Sequence, residues 1–255
     1  MLPRDSIRAA LADRPTPAIV AFLTAGYPAT DSFLPTLRVV AEAADAVELG
    51  VPFSDPMADG VTIQRSSQKA IENGVSLSWI LGQLLARDFE LGAPILLMSY
   101  LNPLLTMGYE QLAERSAAAG VAGFIVPDLP YEESAPLREA LDPHGLALVQ
   151  MVTPATPDER LAKLCAASQG FVYAVTRTGI TGRDTALPSE LAAYLDRVKA
   201  VSALPVCAGF GVRHAEQVQS IGAHADGVVV GSALVEVLES GGDPAEFIAG
   251  LRQVS

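Results

Sequence analysis

The sequence predicts an α/β protein whose eight parallel strands close into a (β/α)8 TIM barrel, a single domain over residues 1–255 with one extra N-terminal helix. Three observations predict it. Eight short apolar runs recur along the chain, and most of the stretches between them carry apolar residues at helical spacing. The runs are mostly continuously apolar rather than alternating, as strands are when helices cover one face and a closed interior fills the other. Alternating strand and helix imply parallel pairing, because a parallel neighbour is reached only through a crossover.

Taken in order, residues 4–12 read as a short helix placed to plug the lower end of the barrel. The strands fall at 18–25, 46–49, 95–100, 123–126, 147–152, 171–175, 205–209 and 227–231. Helical spacing covers 33–44, 76–89, 109–119, 132–141, 158–167, 189–202 and 214–221, with further helical starts near Thr62 and after Ser232. Trp79, Leu81, Leu84 and Leu85 have the pattern of an outer helix packing inward. The rival architecture, a doubly wound open sheet, would place a nucleotide at its first βα turn. That turn reads Thr24-Ala25-Gly26-Tyr27-Pro28, without the glycine-rich dinucleotide fingerprint.

Composition narrows the function. No Pro/Ser/Gly-rich linker or charge block divides the chain, and 50% of its residues are hydrophobic, enough for a sizeable core. A formal net charge of −12 opposes nonspecific binding to nucleic acid or anionic membranes. Cys165 and Cys207 stand far apart in apolar segments and fit neither a metal-ligand pair nor a disulfide framework. The N-terminus lacks the apolar core of a signal peptide and no run approaches a membrane span, so a soluble, cytoplasmic protein is expected.

The chemistry is expected at the carboxyl ends of the strands, where such barrels hold their active sites. Glu48 ends the second strand, shares its direction with Ala46, and so points into the barrel mouth while Val47 and Leu49 face the helices. Burying an unpaired carboxyl there is costly and raises its pKa toward neutrality, which suits a proton donor and acceptor. A turn-rich loop, Gly50-Val51-Pro52-Phe53-Ser54-Asp55-Pro56-Met57-Ala58-Asp59-Gly60, carries a second acid, Asp59, that either meets a substrate or caps the next helix. Spacing alone leaves both readings of Asp59 open; Asp55 reads as a turn residue.

Two further constellations accompany the acids. Gly209-Phe210-Gly211 after the seventh strand and Gly231-Ser232 after the eighth have the makings of an anion cradle of backbone amides at a helix N-terminus, though glycines also serve simple turns. Residues 173–183 leave the sixth strand into a polar, glycine-punctuated loop, read either as a lid or as a long surface loop. His144, His214 and His224 are scattered, and Lys163 and Lys199 fall within helices, so neither a metal site nor a Schiff-base lysine is expected. Catalysis by carboxylates remains.

Over essentially its whole length the chain resembles the tryptophan synthase α-subunit family. The resemblance rests on Phe22-Leu23-Thr24-Ala25-Gly26-Tyr27-Pro28, on the Glu48 to Gly60 stretch, and on Gly179-Ile180-Thr181-Gly182, Gly209-Phe210-Gly211 and Gly231-Ser232. It implies a lyase that cleaves indole-3-glycerol phosphate to indole and glyceraldehyde 3-phosphate. It implies no cofactor in this chain and a pyridoxal-phosphate β subunit as partner, usually in an α2β2 heterotetramer. By the same resemblance Glu48 is the general acid/base and Asp59 the carboxylate that accepts the indole N–H. Thr181 is implied as the lid contact, Gly182, Gly211, Gly231 and Ser232 as the phosphate site, and Phe22, Leu97, Tyr173 and Phe210 as walls of the indole pocket. Val61 stands where the family often has proline, and the segment around Met98 to Pro103 varies in length among relatives. The alternatives are a stand-alone lyase that releases indole, and a noncatalytic barrel that binds a sugar phosphate and regulates a partner.

Overall fold

The structure, a computed structural model, describes residues 1–176, 187–209 and 211–253. Eight parallel strands close in chain order: β1 (Ala18–Thr24), β2 (Ala46–Gly50), β3 (Ile95–Met98), β4 (Val121–Ile125), β5 (Ala147–Val152), β6 (Val172–Val175), β7 (Val206–Gly209) and β8 (Gly227–Val230). The last strand returns to pair with the first, Val20 opposite Val229, so the sheet has no free edge. Around it, among the described residues, lie α1 (Pro3–Leu11), α2 (Phe33–Ala43), α3 (Val61–Glu72), α4 (Leu77–Ala86), α5 (Leu101–Met107) and α6 (Tyr109–Ala118). The second half adds α7 (Ala135–Leu141), α8 (Asp158–Ala167), α9 (Ser189–Val201), α10 (Ala215–Gly222), α11 (Ser232–Glu239) and α12 (Pro244–Arg252). The (β/α)8 barrel expected from the sequence is the fold.

Strand alternation divides the core in two. Val20, Phe22, Ala46, Met98, Tyr173 and Cys207 face the barrel interior. Their strand neighbours Ala21, Val47, Leu49, Leu97, Ala174 and Ala208 join the larger shell between barrel and helices. The first helix closes the lower end: Ile7 and Leu11 of α1 are fully buried and belong to the interior cluster.

Several boundaries differ from the sequence expectation, and α5 and α12 have no counterpart in it; two of the differences have a visible cause. Residues 99–100 leave the third strand, expected over 95–100, and α5 follows at once. Pro103 falls in the first helical turn, where a missing N–H breaks no intrahelical bond, and the Leu101 N–H is taken up by Asp128 Oδ1 at 2.8 Å. The expected helix at 132–141 is split into a 3-10 turn over Tyr131–Glu133 and α7, which starts only at Ala135 with Pro136 in its first turn.

Acids at the lower end are tied down. Asp45 Oδ2 accepts the Ile19 N–H at 2.8 Å, and its carboxylate pairs with Arg14 at 2.7 Å and Arg252 at 2.8 Å. Asp226 Oδ2 accepts the Val206 N–H at 2.7 Å, and its carboxylate pairs with Lys199 at 2.6 Å. Because the two arginines at Asp45 stay partly in water, Asp45→Ala is expected to destabilise by about 2–3 kcal/mol rather than the full cost of orphaning a buried ion pair. Chemical denaturation measures this. Among the described residues no helix is long and apolar enough to cross a membrane.

Candidate active site

Glu48 has no such partners. Its neighbours across the sheet are Phe22 on β1 and Leu96 on β3, and its side chain occupies the interior face that the strand period assigns to it. It is 1% exposed, and its Oε2 has no hydrogen-bond partner among the described residues. Burial is the larger force on its proton and the negative Asp59 the second; together they push its carboxyl up to about 8. Among the described residues Asp45 and Asp226 are paired thoroughly while Glu48 is buried with no cation beside it, which marks Glu48 as a reactive group.

The loop after β2 brings Asp59 over the same mouth. Phe53 stacks on Tyr100 with ring centroids 5.0 Å apart, and the Ala58 N–H donates to the Tyr100 hydroxyl at 2.8 Å, so the loop is pinned to the end of the third strand. Tyr100 in turn donates to the Asp59 carboxylate. Burial raises Asp59 to about 6, against the pull of that hydrogen bond. Asp59 does not cap α3: the N-cap is Gly60, with no side-chain capping bond. Asp55 accepts from Ser54 at 2.5 Å and is exposed, a turn residue as expected. Tyr100→Phe removes the bond that favours ionised Asp59, so the Asp59 carboxyl is expected to titrate above 6. A carboxyl-carbon NMR titration reads this, and an unmoved Asp59 would remove Tyr100 from the role.

Two aromatic walls owe their placement to glycines on neighbouring strands. A Cβ at Gly50 would stand 2.5 Å from Phe22 Cζ, and one at Gly209 would run into the Tyr173 ring and hydroxyl. Each ring therefore lies across bare backbone. Both residues face the cavity that holds the acids, as their place in the resemblance requires. Leu97 does not. It is fully buried in the outer shell against the helices, and Met98, one residue on and on the opposite face, lines the cavity instead. A shift of one residue along a strand exchanges faces, which is how the assignment of Leu97 went astray.

Gly211, Gly231 and Ser232 line the same cavity. Gly211 has φ +88°, a left-handed conformation that favours glycine. Gly231 is the N-cap of α11 and Ser232 its first residue; no side chain caps this helix and its first turn holds no acid, so its free N–H groups and dipole are available to an anion. The enclosed volume is about 100 Å³, with Phe22, Glu48, Asp59, Met98, Tyr173 and Ser232 among its walls. Thr181, Gly182 and Phe210 lie outside the described residues. A roomier cavity, about 360 Å³ and lined by Asp128, Tyr131, Gln150 and Arg160, contains neither acid, and the buried carboxyl pair locates the chemistry better than size does.

Sequence reasoning missed Tyr100, Met98 and Ile63, all of which touch the site or its loop. The signal for the first two is parity: Met98 and Tyr100 share the inward direction of Leu96. Elsewhere Lys163 and Lys199 sit in outer helices in ion pairs with Glu132 and Asp226, and His224 pairs with Asp196. Among the described residues no cluster of His, Cys, Asp or Glu is arranged to hold a metal ion.

Known proteins share this arrangement of fold and sequence. A family profile described as tryptophan synthase alpha chain matches residues 9–252. The chain is 45% identical over 236 residues to the tryptophan synthase alpha chain of Solidesulfovibrio magneticus, covering 92% of each. It is 45% identical over 248 residues to that of Desulfovibrio desulfuricans, covering 96% of this chain and 97% of the relative. Among solved structures it is similar to tryptophan synthase subunit alpha from Legionella pneumophila, with a TM-score of 0.87 at 31% identity over 99% and 98% of the two chains. A chain of Mycobacterium tuberculosis tryptophan synthase gives a TM-score of 0.84 at 37% identity over 99% and 97%. With a matching profile over nearly its whole length and relatives at this identity, the chain belongs to the tryptophan synthase alpha chain family.

Proposed function

We propose that Glu48 and Asp59 carry the alpha reaction of tryptophan biosynthesis in this chain, as a carbon–carbon lyase acting on indole-3-glycerol phosphate. The observation that carries the assignment is a buried Glu48, its Oε2 unpartnered among the described residues, facing the same small cavity as Asp59, with an uncapped helix N-terminus also in its wall. Near neutral pH the two acids divide the work, because Glu48 at about 8 keeps its proton and Asp59 at about 6 has mostly lost its own.

The neutral Glu48 carboxyl delivers its proton to C3 of the indole ring. That converts the ring to an indoleninium cation, whose N–H the Asp59 carboxylate accepts and whose charge it offsets. The bond from C3 to the glycerol carbon then breaks, its electrons returning to the ring, while the hydroxyl on that carbon becomes the aldehyde. The Glu48 carboxylate takes up the hydroxyl proton and is restored. Indole and glyceraldehyde 3-phosphate leave, with no net change in protons. Phe22, Met98 and Tyr173 give the flat apolar walls an indole needs, and Gly211, Gly231 and Ser232 receive the phosphate. Gly182 joins the phosphate site, Phe210 the indole walls and Thr181 the Asp59 contact in this reading, by their place in the family pattern.

The same reading gives the chain no cofactor of its own and a pyridoxal-phosphate β subunit that takes the indole, in an α2β2 heterotetramer. Supporting a partner at the mouth, Met57 of the catalytic loop is 88% exposed and Leu105 of α5 is 52% exposed, on segments joined through Tyr100. Unpaired, buried Cys165 and Cys207 suit a cytoplasmic location, and residues 1–255 are taken as one barrel domain. Indole release from indole-3-glycerol phosphate, measured with and without a β subunit, tests all of this. Activity only with the β subunit, or strongly raised by it, supports the complex. Equal activity in both supports the stand-alone lyase, and none in either leaves the regulatory barrel.

A further inference from the structure

The start of α3 is short of local support. Its N-cap Gly60 offers no side chain, its first turn has no acid, and Val61 at its first position is 76% exposed. Asp59 stands two residues before that position. Within the turn Gln64 Nε2 donates to the Asp59 carbonyl at 2.9 Å; its remaining side-chain hold comes from across the barrel seam, from α11. Thr62 Oγ1 donates to Glu236 Oε1 at 3.1 Å, and one turn further on Arg65 Nη2 pairs with Glu239 Oε2 at 2.5 Å. The same spacing of three residues on both helices aligns the two bridges.

Glu236 is itself fixed from a third element. Arg213, two residues beyond Gly211, holds it with both guanidinium nitrogens, at 2.6 Å and 3.0 Å. A planar guanidinium gripping both carboxylate oxygens sets the orientation of the carboxylate as well as its place. That leaves Oε1 aimed at Thr62. Glu236 thus joins the segment after Gly211, the helix that opens with Ser232, and the turn that follows Asp59.

We propose that Glu236 is a positioning residue: through Thr62 and Arg213 it fixes the start of α3 against the anion-binding ends of β7 and α11, and so sets where the Asp59 carboxylate stands. Glu236 is not among the residues that line the cavity of the acids. This inference rests on the reading of Asp59 given above.

The test is steady-state indole release by the full chain and four variants: Thr62→Val, Thr62→Ser, Glu236→Ala, and Thr62→Val combined with Glu236→Ala. Thr62→Val and Glu236→Ala are each expected to lower kcat about tenfold with KM within about twofold, since a small misplacement of a catalytic group falls on the chemical step. The double variant should be no slower than the slower single one, and Thr62→Ser, which keeps the hydroxyl, should return kcat to within about twofold of the parent. Thr62→Val is nearly isosteric and keeps the fold even where Glu236→Ala does not. A normal kcat in Thr62→Val, a loss confined to KM, or losses that multiply in the double variant would each overturn the proposal. Asp59→Asn separates the layers. If it is also fully active, the reading of Asp59 fails and takes this inference with it; if it is inactive while Thr62→Val is normal, only this inference fails.

Discussion

Glu48→Gln is expected to lower kcat about 10³- to 10⁴-fold while leaving binding of a phosphate-bearing inhibitor within about threefold of the parent. The amide has the size and shape of the acid but cannot deliver a proton to carbon or take one from a hydroxyl. Gly211, Gly231 and Ser232, proposed for the phosphate, stand on other segments of the cavity wall, so inhibitor binding is expected to be spared. Single-turnover indole release and inhibitor titration separate the two effects. A variant that turns over at near the parent rate would take Glu48 out of acid/base catalysis.

The same substitution is expected to stabilise the fold, and the pH dependence gives the reason. Glu48 titrates at about 8 in the native chain and near its ordinary 4.5 when unfolded. Below 4.5 both states hold the proton and the group is neutral to stability. As pH rises from 4.5 toward 8 the unfolded chain gives up its proton while the native chain keeps it, so the unfolded state is progressively favoured and stability falls. At pH 7 the loss is on the order of 3 kcal/mol, and Gln, which never ionises, escapes it. Glu48→Gln should therefore melt roughly 5–10 °C higher than the parent at pH 7, with the gap closing as pH falls toward 4.5. Asp59, also raised, adds a smaller contribution of the same sign. Thermal melts of parent and variant across that range decide it; equal melting points throughout would mean that Glu48 is not held protonated by burial. Loss of turnover together with gain of stability is the signature of a residue kept for chemistry against the interest of the fold.

Much of the barrel is legible from the chain because strand and helix periods are local properties. The strand candidates at 147–152 and 205–209 differ from β5 and β7 by at most one residue, since a buried parallel strand has an unbroken apolar run. Where local signals conflict with tertiary ones, the reading slips. The strand expected over 95–100 runs on through Ser99 and Tyr100, yet Asp128 on the neighbouring connection accepts the Leu101 N–H and α5 starts there. Leu97 and Met98 are both apolar and adjacent, so only the pairing of Gly50 with Met98 shows which of them faces the cavity. Parity counted from Glu48 would have found Met98 once that register was in hand.

By itself the sequence determined the fold class, the resemblance that names a family, and the direction of Glu48, because the two-residue period of a strand fixes facing without reference to any neighbour. It left Asp59 between capping and chemistry. Only the tertiary structure decided that, since the pairing of β3 with β2 brings the end of the third strand beside the loop after β2, and Tyr100 then holds both Ala58 and Asp59. The partners of Glu236 were beyond the sequence for the same reason. Arg213, Thr62 and Glu236 stand on three separate segments, and their meeting depends on the return of β8 to β1, a contact with no local signature.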